Sequence, residues 1–124
     1  MNGTRIVQFE IEFYTTPKGD TPVQDFLNSL EAKPRAKLIG MLELLEEKGN
    51  TLREPYSKKI DKDILELRCK QGSNIYRVMY FFYYHGKIVM TNGLVKKTQK
   101  TPKSVIALAR RYMNAYIERM EEKP

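Results

Sequence analysis

Four charged side chains in the second half of this 124-residue chain are spaced as a phosphate-binding surface would need. Glu66 and Arg68 alternate within ILELRCK, Arg77 lies inside IYRVMYFFYY, and Lys96 follows KIVMTNGLV. A symmetric hairpin closed by QGSN would set Arg68 opposite Arg77 and Glu66 opposite Met79, since a tight turn fixes register. A two-residue turn at His85-Gly86 would set Lys96 opposite Ile75, one diagonal step from Arg77. Glu66, Arg68, Arg77 and Lys96 then share one face, while Lys97 at the strand end can point either way.

Two arginines directly opposed on a sheet cost on the order of a few tenths to one kcal/mol. An anion between them turns that cost into a gain, because guanidinium forks match phosphate oxygens bidentately. Glu66 bridging both arginines in a structural ion-pair triad would do the same. The two arrangements are compatible, with the carboxylate holding the forks until a phosphate arrives. Removing one of the opposed cations costs little stability unless Glu66 depends on both.

The remaining reactive residues read as structural. His85 falls in a turn far from the charge cluster. Cys69 alternates onto the apolar side with Leu65 and Leu67, a core position. Asp61 and Asp63 are flanked by lysines, which argues against a metal site. Tyr76, Tyr80 and Tyr84 share a face with Val78 and Phe82 and read as core. One histidine and one cysteine exclude a zinc finger or a His/Cys metal cluster. No Ser/His/Asp set, phosphate-cradling glycine loop or dinucleotide fingerprint is present.

The elements that must carry this cluster follow from periodicity. Residues 5–13 put Val7, Phe9, Ile11 and Phe13 on one side and Gln8, Glu10 and Glu12 on the other, a half-buried strand. Thr21-Pro22-Val23-Gln24 is a helix start, with Thr21 as N-cap and Gln24 closing a capping box. Val23, Phe26, Leu27 and Leu30 follow at helical spacing over 21–31. A second helix over 34–48 carries Leu38, Met41, Leu42 and Leu45 and stops at Gly49. Residues 50–63 read as polar and irregular. Strands are expected over 64–70, 75–84 and 87–95, then a helix from Thr101-Pro102 with Val105, Leu108, Ala109, Tyr112, Met113, Tyr116 and Met120 as its stripe. The order is β-α-α-β-β-β-α, a single α+β domain over 1–124: a helical hairpin and a C-terminal helix around a mainly antiparallel sheet of four strands.

Composition fits that size: 41% hydrophobic and 30% charged residues fill one core. No apolar run is long enough to span a bilayer, the N-terminus lacks a signal-peptide core, and a lone cysteine suits a reducing compartment, so a cytoplasmic protein is expected. The net charge of +7 is unevenly spread. Residues 1–66 are net −2, residues 67–117 hold ten basic residues and no acid, and residues 118–124 are net −1. A one-signed field of that length attracts polyanions, either nucleic acid or an acidic protein.

The run from Leu65 to Tyr112 resembles the RelE/ParE toxin superfamily, and most of all its phage-derived, HigB-like branch. The resemblance rests on Glu66-Leu67-Arg68, Tyr76-Arg77-Val78, and Gly93-Leu94-Val95-Lys96-Lys97-Thr98-Gln99-Lys100-Thr101-Pro102 leading into the last helix; the helical hairpin fits it too. It implies a RelE-like fold and the toxin of a type II toxin–antitoxin system. It further implies a metal-independent, cofactor-free endoribonuclease that cleaves mRNA on the ribosome. The implied partner is a helix-turn-helix antitoxin encoded nearby. By the same resemblance Glu66, Arg68, Arg77, Lys96 and Lys97 form the catalytic surface, with Lys70, Lys100, Lys103, Arg110 and Arg111 contacting RNA. Some relatives use a C-terminal tyrosine or histidine as acid or base; Tyr112 and Tyr116, deep in the last helix, do not match.

Such an enzyme activates the substrate's own 2′-OH. Arg68, Arg77 and a lysine would stabilise charge building on phosphorus, at roughly 3–4 kcal/mol per well-aimed donor. Glu66, ringed by cations, would be a weak base; a lysine crowded by other cations is the alternative. Electrostatics is therefore the expected main contribution, with the ribosome positioning the substrate. Two other classes compete: a ParE-like toxin that inhibits a topoisomerase by protein contact, and a non-catalytic nucleic-acid-binding regulator.

Overall fold

The computed structural model describes residues 9–98 and 100–122. Its elements are β1 (Glu10–Phe13), α1 (Pro22–Ser29), α2 (Ala32–Lys48), a short 3-10 turn at Gly49–Thr51, β2 (Ser57–Asp61), β3 (Ile64–Gln71), β4 (Asn74–Tyr83), β5 (Lys87–Lys96) and α3 (Lys103–Glu121). They form an α+β architecture around one five-stranded sheet, ordered β1-β5-β4-β3-β2, in which only β1–β5 is parallel.

The fifth strand corrects the expectation of four. β2 lies within the stretch read as irregular and pairs antiparallel with β3 at the sheet edge. Its sequence, SKKID, shows no apolar alternation because an edge strand needs only one good neighbour. Exposed lysines at Lys58 and Lys59 also guard that edge against further pairing. The described part of the first strand begins at Glu10; Val7 and Gln8 lie outside the described residues.

One face of the sheet packs on the helical hairpin. Val23, Leu27, Leu38, Leu42 and Leu45 from α1 and α2 meet Leu67, Cys69, Tyr76, Val78, Tyr80, Ile88 and Met90, with Phe9, Ile11 and Phe13 alongside. Arg35 ties the hairpin, donating from Nε to the Leu27 carbonyl at 3.0 Å and also to Leu30 O. Thr21 is the N-cap of α1, but its side chain does not cap and Gln24 donates to Asn28 instead, so the expected capping box does not form. α1 approaches β5 so closely that a Cβ on Gly93 would lie 2.3 Å from the Phe26 ring. The opposite face packs on α3, where Ala109, Met113 and Tyr116 cover Ile64, Met79, Phe81 and Val89.

Register at the two hairpins sets the site. β3–β4 pairs Glu66 with Met79 and Arg68 with Arg77, as a two-residue turn at Gly72-Ser73 requires. β4–β5 pairs Ile75 with Lys96, as expected, but by a different route. Tyr83 pairs with Lys87, so the loop is the three residues Tyr84, His85 and Gly86, with His85 and Gly86 both at positive φ. The residue lost there is restored by a bulge: Met79 pairs with Asn92 and Tyr80 with Met90, leaving Thr91 extra. The bulge turns Ile88 and Met90 toward the helical hairpin while Lys96 stays on the face of Arg77.

Candidate nucleic-acid interface

Arg77 is the centre of the cluster and is completely buried, at 0% exposure; Glu66 is 1% exposed. An isolated buried guanidinium is unfavourable, so each arm must find an acceptor. One terminal nitrogen donates to Glu66 Oε1 at 3.2 Å and to Thr101 Oγ1 at 3.0 Å; the other donates to the Thr98 carbonyl. The Thr101 hydroxyl donates in turn to Glu66 Oε2. Arg68 Nε lies 3.1 Å from Glu66 Oε1, with its side chain 15% exposed. Glu66 therefore depends on both arginines, and the link between β5 and α3 covers Arg77. Burial lowers the Arg77 pKa below its ordinary value; Glu66 opposes this and Arg68 adds to it.

Thr98 and Thr101 are the members that residue-type reasoning missed. Thr101 was expected to open the last helix, but Pro102 is its N-cap and the threonine hydroxyl serves the ion pair instead. Their signal was present in the quoted Lys97-Thr98-Gln99-Lys100-Thr101-Pro102 segment, without a role attached. Gln99 lies outside the described residues.

The other cations spread around this centre. Lys96 and Lys70 are exposed and share the face of Arg68, on either side of Ile75. Lys97 and Lys100 are exposed on the link, and Lys103 and Arg111 on α3. Arg110 is engaged elsewhere: it donates to Asp61 Oδ2 at 2.9 Å and to the Lys62 carbonyl at 2.7 Å, pinning α3 to the β2–β3 turn. The Arg110 hydrogen bond holds the Asp61 carboxyl below its ordinary pKa.

Of the side chains read as structural, all but Tyr84 sit where the periodicity put them. Cys69, Tyr76 and Tyr80 are in the core; Tyr84 is exposed in the hairpin loop, which corrects its core assignment because the loop is one residue longer than expected. Tyr116 is buried and donates to Glu12 Oε1 at 2.9 Å; burial, with this bond, pushes its pKa well above the ordinary tyrosine value. Tyr112 stacks on Tyr14 at 4.8 Å between centroids. Among the described residues, no group of three or more His, Cys, Asp or Glu side chains is placed to hold a metal ion, and no helix is long and apolar enough to cross a membrane.

No curated protein matches this sequence. The family model of phage-derived Gp49-like proteins matches residues 25–114, from α1 through most of α3, and so takes in every strand of the cluster. By that match, the chain belongs to the Gp49-like family of phage-derived proteins (DUF891), a RelE/toxin-like family.

Proposed function

We propose that the protein is the toxin of a type II toxin–antitoxin system, of the HigB-like branch, and that it cleaves mRNA on the ribosome without a metal. The observation that carries this reading is the face on which Arg68, Lys70 and Lys96 gather beside the buried Glu66–Arg77 pair. Residues 67–117 supply no acid to oppose them. In this reading Arg68, Lys96 and Lys97 meet the reacting phosphate, and Lys70, Lys100, Lys103 and Arg111 hold the flanking chain. Glu66 and Arg77 act one step back: they fix the position of Arg68. Preorganised cations supply the main rate gain. As the ribosome presents the substrate, the 2′-hydroxyl gives up its proton and its oxygen attacks phosphorus in line, while the P–O5′ bond breaks and the 5′-oxygen leaves protonated, giving a 2′,3′-cyclic phosphate and a 5′-hydroxyl.

The natural partner is an acidic antitoxin that covers this surface in the cytoplasm. Its complex should weaken markedly with added salt. The test of function is induced expression in bacteria, followed by primer extension of a reporter mRNA on purified ribosomes. Growth arrest with discrete cleavage in the wild type, lost together in Arg68→Ala/Lys96→Ala that stays folded at the assay temperature, is the expected result. Arrest without cleavage, persisting in that variant, would favour the topoisomerase-inhibitor class. A non-toxic wild type would favour the regulator.

A further inference from the structure

Next to Arg68 lies a groove whose aromatic member, Tyr56, has no part in the chemistry above. It has a volume of about 310 Å³ and is lined by Pro55, Tyr56, Arg68, Lys70 and Ile75. Backbone pairing builds it. The Arg68 N–H donates to the Tyr56 carbonyl at 2.8 Å, so Tyr56 extends the row that runs from Arg77 through Arg68. Tyr56 is 47% exposed, one of the few large hydrophobic residues left in solvent among the described residues. The groove thus has an aromatic ring, two apolar neighbours and two cations. Its size is near the lower end of small-ligand sites, which run from about 300 to 1,000 Å³, so it suits one flat, charged unit and not a folded partner.

We propose that this groove is a subsite for one nucleotide of single-stranded RNA, with the base stacked on Tyr56 and its phosphate on Arg68 and Lys70. The proposal rests on the endoribonuclease reading and names the part of the substrate that this side of the site holds. A nucleotide fits the observations because it carries both a π-face and an anion at fixed separation. An acidic peptide would satisfy the cations and leave the exposed ring unused. Stacking tolerates any base, so the subsite would anchor the strand without selecting sequence.

The test uses the full chain and a fluorescein-labelled single-stranded hexa-adenylate, 2′-O-methylated throughout so that it cannot be cleaved. Fluorescence anisotropy gives the affinity. Tyr56→Ala should weaken binding roughly ten- to hundredfold, the range that base stacking on aromatic side chains spans. Tyr56→Leu, which keeps bulk but has no π-face, should weaken it equally. Tyr56→Phe and Tyr56→Trp should stay close to wild type, with all four variants melting as wild type does. Lys70→Ala should lower the slope of log affinity against log salt by about one phosphate contact. Tyr56→Ala binding like wild type, or Phe weakening binding as much as Ala, overturns the subsite. So does an Asp/Glu hexapeptide that displaces the RNA and binds independently of Tyr56. A wild type that does not bind the hexamer at millimolar protein overturns it as well. Ribosomal cleavage lost in Arg68→Ala/Lys96→Ala but retained in Tyr56→Ala would leave the nuclease reading standing while the subsite falls.

Discussion

Replacing Arg77 tests whether the buried cluster is a scaffold or a reacting surface. Arg77 and Glu66 are both withdrawn from solvent, and their ion pair is 3.2 Å long. Arg77→Ala leaves Glu66 ionised in the interior with only Arg68 as its cation. The same change removes the donors that hold the Thr98 carbonyl and Thr101 hydroxyl. Breaking one side of a buried pair costs about 3–5 kcal/mol. Domains of this size have only about 5–15 kcal/mol in total. The melting temperature should therefore fall by roughly 10–20 °C, taking a few degrees per kcal/mol. Arg77→Lys keeps the charge but not the two-point fork, so it should lie between wild type and Ala. Glu66→Leu/Arg77→Met removes both charges and should lose less stability than Arg77→Ala alone. Glu66→Leu and Arg77→Met made singly complete a double-mutant cycle with that double variant, and thermal melts and urea titrations of its members give the coupling. If Arg77→Ala melts within about 1 kcal/mol of wild type, the pair does not hold the fold and the reasoning fails. The outcome also governs how toxicity is read. A non-toxic Arg77→Ala that has unfolded says nothing about chemistry, whereas Lys96→Ala, at an exposed side chain, addresses it, as does Arg68→Ala where it stays folded.

Further outcomes follow from single contacts. Gly93→Ala should cost roughly 1–3 kcal/mol in urea denaturation, because the new methyl meets the Phe26 ring at 2.3 Å and α1 must shift; an unchanged midpoint would mean α1 is loosely seated. The Asp61 carboxyl has a folded pKa below its ordinary 3.8, chiefly through Arg110. Its stabilising contribution is therefore full above that ordinary value and is lost as pH falls through the lowered one. Arg110→Ala should remove this part of the acid-side slope in a urea midpoint series, and identical slopes would contradict the pairing. Burial raises the Cys69 pKa, so the thiol should react with disulfide reagents at neutral pH only at the rate of global unfolding. Labelling as fast as in denaturant would place it at the surface.

Much of the fold is legible in residue order. Alternation in residues 64–70 and helical spacing in α1, α2 and α3 come from local geometry, since side chains repeat every two residues in a strand and every 3.6 in a helix. β2 was not legible, because an edge strand of lysines and one half-buried isoleucine has no pattern that separates it from a loop. Tyr56, just before it, was missed for the same reason: without the strand, nothing put it beside Arg68. The pairing of Ile75 with Lys96 was reached through a two-residue turn that is absent. A longer loop and the Thr91 bulge offset each other, and only the folded sheet reveals both.

Sequence alone determined that ten cations and no acid lie between residues 67 and 117, and that a short turn must set Arg68 against Arg77. Both are consequences of covalent order: charge is a property of residue type, and a tight turn leaves one register. Tertiary structure alone decided what the arginines do. The β5–α3 link folds back over Arg77, and Thr98 and Thr101 close around it with Glu66. Lys70 and Lys96 remain at the surface, and Arg68 keeps one partly exposed edge beside them. Burial depends on which distant segment covers a side chain, and desolvation makes the same guanidinium an internal tie in one place and a phosphate ligand in another.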